Sequence, residues 1–301
     1  MKCSHCDSEA ITFIRYNGSH LCASHFRRYV EKRVKREIRR QVELRRGDVL
    51  AVAVSGGKDS MVTLHLLHHI LKGKVELDIH CLTVDEGISG YRPQSIEKVE
   101  DICAKLDIPH HLLKMEDSCG RGMDEIAPQT GDSTPCTFCG VLRRSCLNAK
   151  ARELGANYLA TGLNLDDTAQ SILMNFIRGD VERLARMGPH KKVQPGLVPR
   201  IQPLRMIPEK ESYLYAMVSG IDFHDAPCPY ADRALRNQYR SILEQLEDRS
   251  PGTRFSILSS YDSMAPMLRQ GFPSAQLGRC ECGEPALGGR CQACLLLERL
   301  R

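Results

Sequence analysis

Tryptophan is absent from the 301 residues, and Phe, Tyr and Trp together make up only 5%. Long apolar runs are missing too. No stretch approaches the ~18 to 20 apolar residues that a membrane span needs, so no membrane association is expected. The first residues, Met1-Lys2-Cys3-Ser4-His5-Cys6, lack the apolar core of a secretory signal, which predicts a soluble cytoplasmic protein. Neither sign of charge dominates: the net charge is +5, with 26% charged and 42% hydrophobic residues. That is ordinary globular usage and argues against disorder and fibrous repeats. At ~150 residues per domain the length predicts roughly two domains.

What stands out against this background is cysteine, present fourteen times. A reducing cytosol keeps thiols free, so metal or redox chemistry is a better account than a disulfide framework. Ten of the fourteen lie in or beside close clusters, or in a Pro-flanked segment. Cys81, Cys103, Cys119 and Cys146 stand apart and read as buried small hydrophobes.

The chain ends carry two of the clusters. Cys3, Cys6, Cys22 and His25 form two knuckles, each with two residues between ligands, which suits one tetrahedral structural zinc ion. Asn17-Gly18, in the spacer between the knuckles, signals a hairpin turn. At the other end stand Cys280, Cys282, Cys291 and Cys294, with Gly283, Pro285, Gly288 and Gly289 supplying turns. The first pair there has one intervening residue instead of two, a less standard geometry for a second zinc site. Both sites look closed, so they are expected to shape the protein rather than catalyse.

Between the first finger and the first strand, Arg27 to Arg46 holds ten Lys or Arg against three Glu. Val30, Val34, Ile38 and Val42 recur every fourth residue, predicting an amphipathic helix with one apolar stripe and a cationic remainder. A solvated helix face would account for the charge. Its place beside a zinc module favours contact with a nucleic-acid backbone.

From Asp48 the pattern becomes α/β. Val49 to Val54 is a short apolar run typical of a strand buried on both faces of a parallel sheet. It leads into Ser55-Gly56-Gly57-Lys58-Asp59-Ser60 and then a helical pattern through Met61, Leu64, Leu67 and Leu71. A strand, a glycine turn and a helix start bearing Lys make an anion cradle suited to phosphate. The spacing is not that of the Walker motif. Further strands are expected over Asp78 to Val84, His110 to Met115 and Asn157 to Thr161. Helices are expected over Ser95 to Leu106, Val141 to Leu154 and Thr168 to Arg178. The fold class is therefore α/β, a doubly wound parallel sheet flanked by an N- and a C-terminal zinc finger. The expected domains are 1–26 (finger), 27–47 (basic linker helix), 48–250 (catalytic domain) and 251–301 (linker and finger). Ser55 to Ser60, Val84 to Gly87 and Gly162 to Asp167 should converge on one nucleotide at the strand ends. Asp166 and Asp167 read either as helix caps or as groups serving Mg²⁺ or substrate.

Cys136 and Cys139 lie in Pro135-Cys-Thr-Phe-Cys-Gly140, and Cys228 in Ala226-Pro-Cys-Pro-Tyr230. Three thiols make a poor closed zinc site, and a Cys-x-x-Cys pair by itself fits a redox disulfide. They suffice for three irons of a cubane cluster, leaving the fourth iron open to a substrate ligand. The 179–208 segment, rich in proline and basic residues, reads as a connection or as a loop over the site.

Ser55 to Ser60 resembles the PP-loop of the ATP pyrophosphatases, which cleave ATP between the α and β phosphates and adenylate an acceptor. Four segments together resemble the cytosolic tRNA 2-thiouridine synthetases, the group of the archaeal NcsA, with TtuA as a close relative. They are Ser55 to Ser60, Cys136-Thr-Phe-Cys-Gly-Val-Leu-Arg-Arg144, Gly162 to Asp167 and Met174-Asn-Phe-Ile-Arg-Gly-Asp180. Cys228-Pro-Tyr-Ala231, followed by Arg233, Arg236 and Arg240, is more similar to the wobble-uridine branch.

The resemblance implies ATP and Mg²⁺ bound through Ala53, Ser55, Gly56, Gly57, Lys58, Asp59, Ser60, Val84, Gly162 and Asp167. It implies a [4Fe-4S] cluster on Cys136, Cys139 and Cys228, a catalytic role for these cysteines and for Asp167 and Arg143, and two Zn²⁺. Arg143 stands where some relatives carry an essential Lys. The implied reaction is ATP-dependent tRNA thiolation: adenylation of the uridine C2 oxygen, then replacement by sulfur, giving 2-thiouridine at wobble position 34. Partners would be tRNA, a sulfur donor (sulfide or a ubiquitin-like sulfur carrier) and a second copy in a homodimer. Position 54, a cysteine persulfide in place of the cluster, and a non-catalytic zinc-ribbon RNA-binding protein are the alternatives. An amidating or lysine-ligating PP-loop enzyme gives no reason for three unpaired cysteines.

Overall fold

The computed structural model describes residues 1–73, 76–131, 133–190, 193–231 and 236–300, with 236 and 237 by backbone alone. Near the N-terminus β1 (Thr12–Ile14) and β2 (Ser19–Leu21) pair antiparallel around the Asn17-Gly18 turn, and α1 (Ala23–Gln41) follows. Then come β3 (Val49–Ala53), α2 (Lys58–Leu71), β4 (Asp78–Asp85), α3 (Arg92–Leu106) and β5 (His110–Lys114). Two short helices, α4 (Met115–Cys119) and α5 (Met123–Ile126), precede the long α6 (Pro135–Glu153). β6 (Tyr158–Thr161), α7 (Leu165–Ile177), α8 (Val181–Ala185), β7 (Arg200–Ile201) and α9 (Glu209–Val218) complete the α/β unit. The chain ends with α10 (Arg236–Arg249), α11 (Thr253–Gly271), the pair β8 (Gly278–Arg279) and β9 (Pro285–Ala286), and α12 (Gln292–Glu298).

The central sheet is parallel throughout and ordered β5-β4-β3-β6-β7. Chain order reverses between β3 and β6, which opens a crevice at their carboxyl ends. The pleat sends alternate residues of β3 to opposite faces. Leu50 and Val52 join a core with α1, α2, α3 and α9, whereas Ala51 joins one with α4, α5, α6 and the C-terminal finger. A third, smaller core holds Leu165 and Ile172 of α7, Leu184 of α8 and Leu258, Tyr261 and Ala265 of α11.

Several boundaries differ from the sequence expectation. α1 spans 23–41 rather than 27–46. α6 begins at Pro135, six residues before Val141, because Pro is favourable at the first helical position even though it reads as a loop residue. α7 begins at Leu165, so Asp166 and Asp167 sit inside its first turn. Residues 253–271, expected as linker, form α11 and pack on α7 and α8. The 179–208 segment contributes α8 and the edge strand β7, so it is more than a loop. The four lone cysteines sit as neighbours two by two: Cys103 raises the Cys81 thiol, and Cys146 raises that of Cys119. Three of them are buried, while Cys119 is half-buried.

Candidate functional site

The loop after β3 is closed by its own serines. The Ser55 N–H donates to Ser60 Oγ at 3.0 Å, and Ser60 Oγ donates to the Gly57 carbonyl at 2.8 Å. Gly56 has φ +84°, and a Cβ there would lie 2.3 Å from the Ser95 carbonyl oxygen, so only glycine fits. Gly162, just past β6, lies equally close to the start of α2: a Cβ would fall 2.8 Å from the Ser60 nitrogen. The loop is held from below by Arg92, which donates to the carbonyls of Ser55 (2.9 Å) and Val84 (2.5 Å) and pairs with buried Glu86 at 2.7 Å.

These elements wall a cavity of ≈ 660 Å³ at the switch point. Ala53, Ser55, Gly57, Lys58, Asp59, Ser60, Val84, Gly162, Arg143 and Cys228 line it, as do Glu86, Tyr91, Arg144, His190, Arg200, Gln202 and Glu209. Three separate strand ends therefore meet where the sequence placed them. Gly56 and Asp167 do not line the cavity. The first supports the loop from outside. The second completes a capping box on α7: the Asp167 N–H donates to Asn164 Oδ1 at 2.9 Å, and the Asn164 N–H donates to Asp167 Oδ2 at 3.3 Å. Asp166 turns away to pair with Arg254 at 2.7 Å and to accept from the Glu209 N–H. Asn164 in turn donates to Asp59 Oδ2 at 3.1 Å, and Lys58 pairs with the same oxygen at 2.8 Å. The other Asp59 oxygen is buried without a hydrogen-bond partner.

Of the three unassigned cysteines Cys228 lines this cavity, whereas Cys136 and Cys139 do not. Cys136 and Cys139 stand three apart in the first turn of α6, so they share a helix face. Cys228 comes in on the 222–231 segment. That segment is fastened to the PP-loop by the His224 N–H donating to the Gly56 carbonyl at 2.9 Å, and to α5 by Tyr230 donating to Asp124 at 2.8 Å. Cys136 Sγ is 3.7 Å from the Tyr230 carbonyl oxygen. Burial pushes the Cys139 thiol up to about 11, and Arg143 pulls against that. Cys136 is raised by burial and by the neighbouring Cys228. Arg143 is itself held by Glu86 at 3.3 Å. Arg233 lies outside the described residues; Arg240 pairs with Glu209 at 2.9 Å.

At each end of the chain four donor atoms lie within 4.8 Å of one another and could hold a metal ion. In the first group Cys6 and Cys22 sulfurs are 3.8 Å apart, and His25 Nδ1 is 3.3–3.5 Å from all three sulfurs. In the second the sulfur spacings are 3.7 Å (Cys280 to Cys294) and 3.5 Å (Cys282 to Cys291). The short Cys280-Glu281-Cys282 pair closes because Gly283 takes φ +87° and its N–H donates back to Cys280. Backbone N–H groups of Cys282 and Cys291 lower the Cys280 thiol to about 6.

A PP-loop domain model matches residues 30–246, and a model of the 2-thiouridine synthetase TtuA N-terminal LIM domain matches residues 2–27. The tRNA 2-thiolation protein NcsA of Haloferax volcanii is 37% identical over all of this chain and 99% of its own length. The chain belongs to the PP-loop tRNA 2-thiolation family. The tRNA-5-methyluridine(54) 2-sulfurtransferase of Pyrococcus horikoshii, another member, is 33% identical over 98% of the chain and 93% of its own length. A solved structure of the family, the U34-tRNA thiolase NcsA from Methanococcus maripaludis with its [4Fe-4S] cluster, superposes with a TM-score of 0.87. It is 33% identical, and the match covers 100% of this chain and 96% of that one.

Sequence reasoning missed Arg92, Arg200, Gln202 and Glu209 of this site, and held Glu86 and Asn164 only as members of the Val84 to Gly87 and Gly162 to Asp167 segments. Arg92 carries no motif. Arg200 and Gln202 follow from a two-residue edge strand, too short to leave a period.

Proposed function

We propose that the protein is an ATP-dependent tRNA-uridine 2-sulfurtransferase that makes 2-thiouridine at wobble position 34. The observation that carries this reading is the joining of Cys228 and the PP-loop in one cavity through the His224–Gly56 bond. The backbone of Ser55 to Ser60 cradles the triphosphate, with Lys58 adding charge. Asp59, with one buried carboxylate oxygen unpartnered, fits a Mg²⁺ ion there. Asp167 acts as a positioning residue: it fixes Asn164, whose amide orients Asp59. The uridine O2 attacks the α-phosphorus, pyrophosphate leaves, hydrosulfide adds at C2, and AMP departs with the former O2 while the sulfur proton goes to solvent. The target base must leave its stack to reach this cavity.

The donor set suits an iron–sulfur cluster: three free thiols on a helix turn and a Pro-flanked loop, none belonging to either four-ligand group. A [4Fe-4S] cluster would be held by Cys136, Cys139 and Cys228, and would supply a place to keep hydrosulfide as the nucleophile. Arg143, between Glu86 and Cys139, favours the thiolate. The terminal groups suit two structural Zn²⁺, since tetrahedral ligands at ~2.3 Å put sulfurs about 3.8 Å apart. The tRNA backbone is read as lying along α1, where Arg28, Lys32, Arg36 and Arg39 are exposed beside a groove of ≈ 760 Å³ floored by Tyr16, Tyr29 and Phe255. Homodimer formation, a sulfide or carrier-protein sulfur donor and cytoplasmic location complete the proposal; no helix among the described residues is long and apolar enough to cross a membrane.

Nucleoside mass spectrometry on tRNA from a deletion strain tests the reading. Loss of 2-thiouridine from position 34 supports it, and loss from position 54 moves the target. Normal thiolation favours a non-catalytic RNA-binding protein instead.

A further inference from the structure

Every arginine of the cavity wall but two has a carboxylate. Arg143 is held by Glu86 and Arg186 by Glu182 at 2.7 Å. Arg144 of α6 and Arg200 of β7 line the same cavity, and neither guanidinium makes a hydrogen bond or an ion pair with any described residue. They are close enough to repel: burial lowers the Arg144 pKa to about 10, and Arg200 is its next largest cause. Burial lowers Arg200 as well.

Their placement is specific. Arg200 pairs in register with Leu159 of β6, a residue of the α6-side core, so it stands on the sheet face that α6 covers. The Arg144 guanidinium is laid over Gly140, where an added Cβ would come 3.2 Å from Nη1. Gly140 directly follows Cys139. Arg144 thus stands beside Cys139, and the pair lines the cavity together with Cys228, on the α6 side of the sheet, opposite the face that α2 covers. Arg144 is exposed and Arg200 half-buried, so both guanidiniums are open to an anion that enters the cavity. Their planar forks match the oxygens of a phosphate.

We propose that Arg144 and Arg200 together bind a backbone phosphodiester of the RNA nucleotide carrying the target uracil, holding that nucleotide between the PP-loop and the three cysteines. This rests on the tRNA-thiolase reading. The nucleotide triphosphate already has its donors at Ser55 to Ser60, and the arginine pair shares the cavity with Cys228, where the base has to arrive.

The test uses the full-length, metal-loaded protein with Arg200→Gln, Arg144→Gln/Arg200→Gln and the charge-preserving Arg200→Lys. Affinities for unmodified tRNA transcript and for inorganic pyrophosphate are measured side by side. The expected result is tRNA binding weakened roughly tenfold or more in the double variant. The log–log salt slope becomes shallower by ~0.7–0.9, as for one lost phosphate contact. Pyrophosphate affinity stays unchanged, Arg200→Lys retains most of the tRNA affinity, and the melting temperature does not fall, since a repulsion has been removed. Weakened pyrophosphate binding with intact tRNA binding would overturn the RNA assignment and give the pair to the nucleotide. No change in either would overturn the site altogether. Thiolation by the wild-type protein, assayed in parallel, reports separately on the function: its absence would defeat that reading whatever the binding shows.

Discussion

Arg33 is a cation on a helix whose charge suggests solvent, yet its side chain is only 10% exposed and pairs at 3.1 Å with Glu211, itself 8% exposed. It also donates to Tyr16 (2.5 Å), Tyr29 (2.8 Å) and the Met206 carbonyl (2.5 Å), and its guanidinium lies 5.1 Å from the Phe255 ring centre. This cluster clamps α1 to α9, whose first residue, Glu209, faces Lys58 at 3.6 Å. Arg33→Met leaves the Glu211 carboxylate buried without its cation, a loss of about 3–5 kcal/mol. With ~2.1 cal/mol/K of unfolding entropy per residue, that corresponds to a melting temperature lower by ~5–8 °C. The pH dependence has a definite sign. Burial raises Glu211 from 4.5 to about 6, although Arg33 opposes the rise. The folded carboxyl therefore binds its proton more tightly than the unfolded one, and the wild-type protein loses about 2 kcal/mol of stability as pH climbs from about 4.5 through about 6. Without Arg33 that window moves upward. Thermal melts of both proteins at pH 5 and pH 8 should show a smaller penalty at pH 5, where Glu211 can be neutral. A penalty equal at both values, or one below about 1 kcal/mol, would refute the assignment.

Gly162→Ala should lower ATP affinity roughly tenfold by calorimetry, because overpacking of about 1–3 kcal/mol pushes β6 away from the start of α2; unchanged affinity would mean that the close approach is irrelevant to the nucleotide. Cys280→Ser should reduce bound zinc from about two ions to one by elemental analysis and loosen α12 from α6, with the N-terminal ion retained. Replacing Lys32, Arg36 and Arg39 together by Gln should weaken tRNA binding and flatten its salt slope by roughly 2–3, with ATP affinity unaltered; an unaltered slope would free α1 of any RNA contact.

The strand–glycine–helix cradle was legible because apolar run, turn chemistry and helix period all agree at Val49 to Leu71. The terminal ligand groups were legible from spacing alone, and even the shortened Cys280–Cys282 pair closes, since Gly283 supplies the left-handed turn. Burial of single polar residues was not. Arg33, Glu37 and Gln41 recur every fourth residue beside the apolar stripe and are buried with it, but a charge pattern cannot say which cation finds a partner 178 residues later. Cys136 and Cys139 looked like loop residues because Pro135 masks a helix start. Arg144 was named for its motif, but its companion Arg200 depends on the pairing of β7 with β6, a contact between residues 41 apart that no local pattern encodes.

The most direct measurement is nucleoside mass spectrometry of tRNA incubated anaerobically with the iron-reconstituted protein, ATP and sulfide, comparing wild type with Cys228→Ala. The expected result is one AMP per 2-thiouridine for the wild type, with about four irons per chain, and no thiolation by the variant. Thiolation that survives Cys228→Ala, or a reconstituted protein with less than about one iron per chain that still thiolates, would contradict the assignment of these three cysteines.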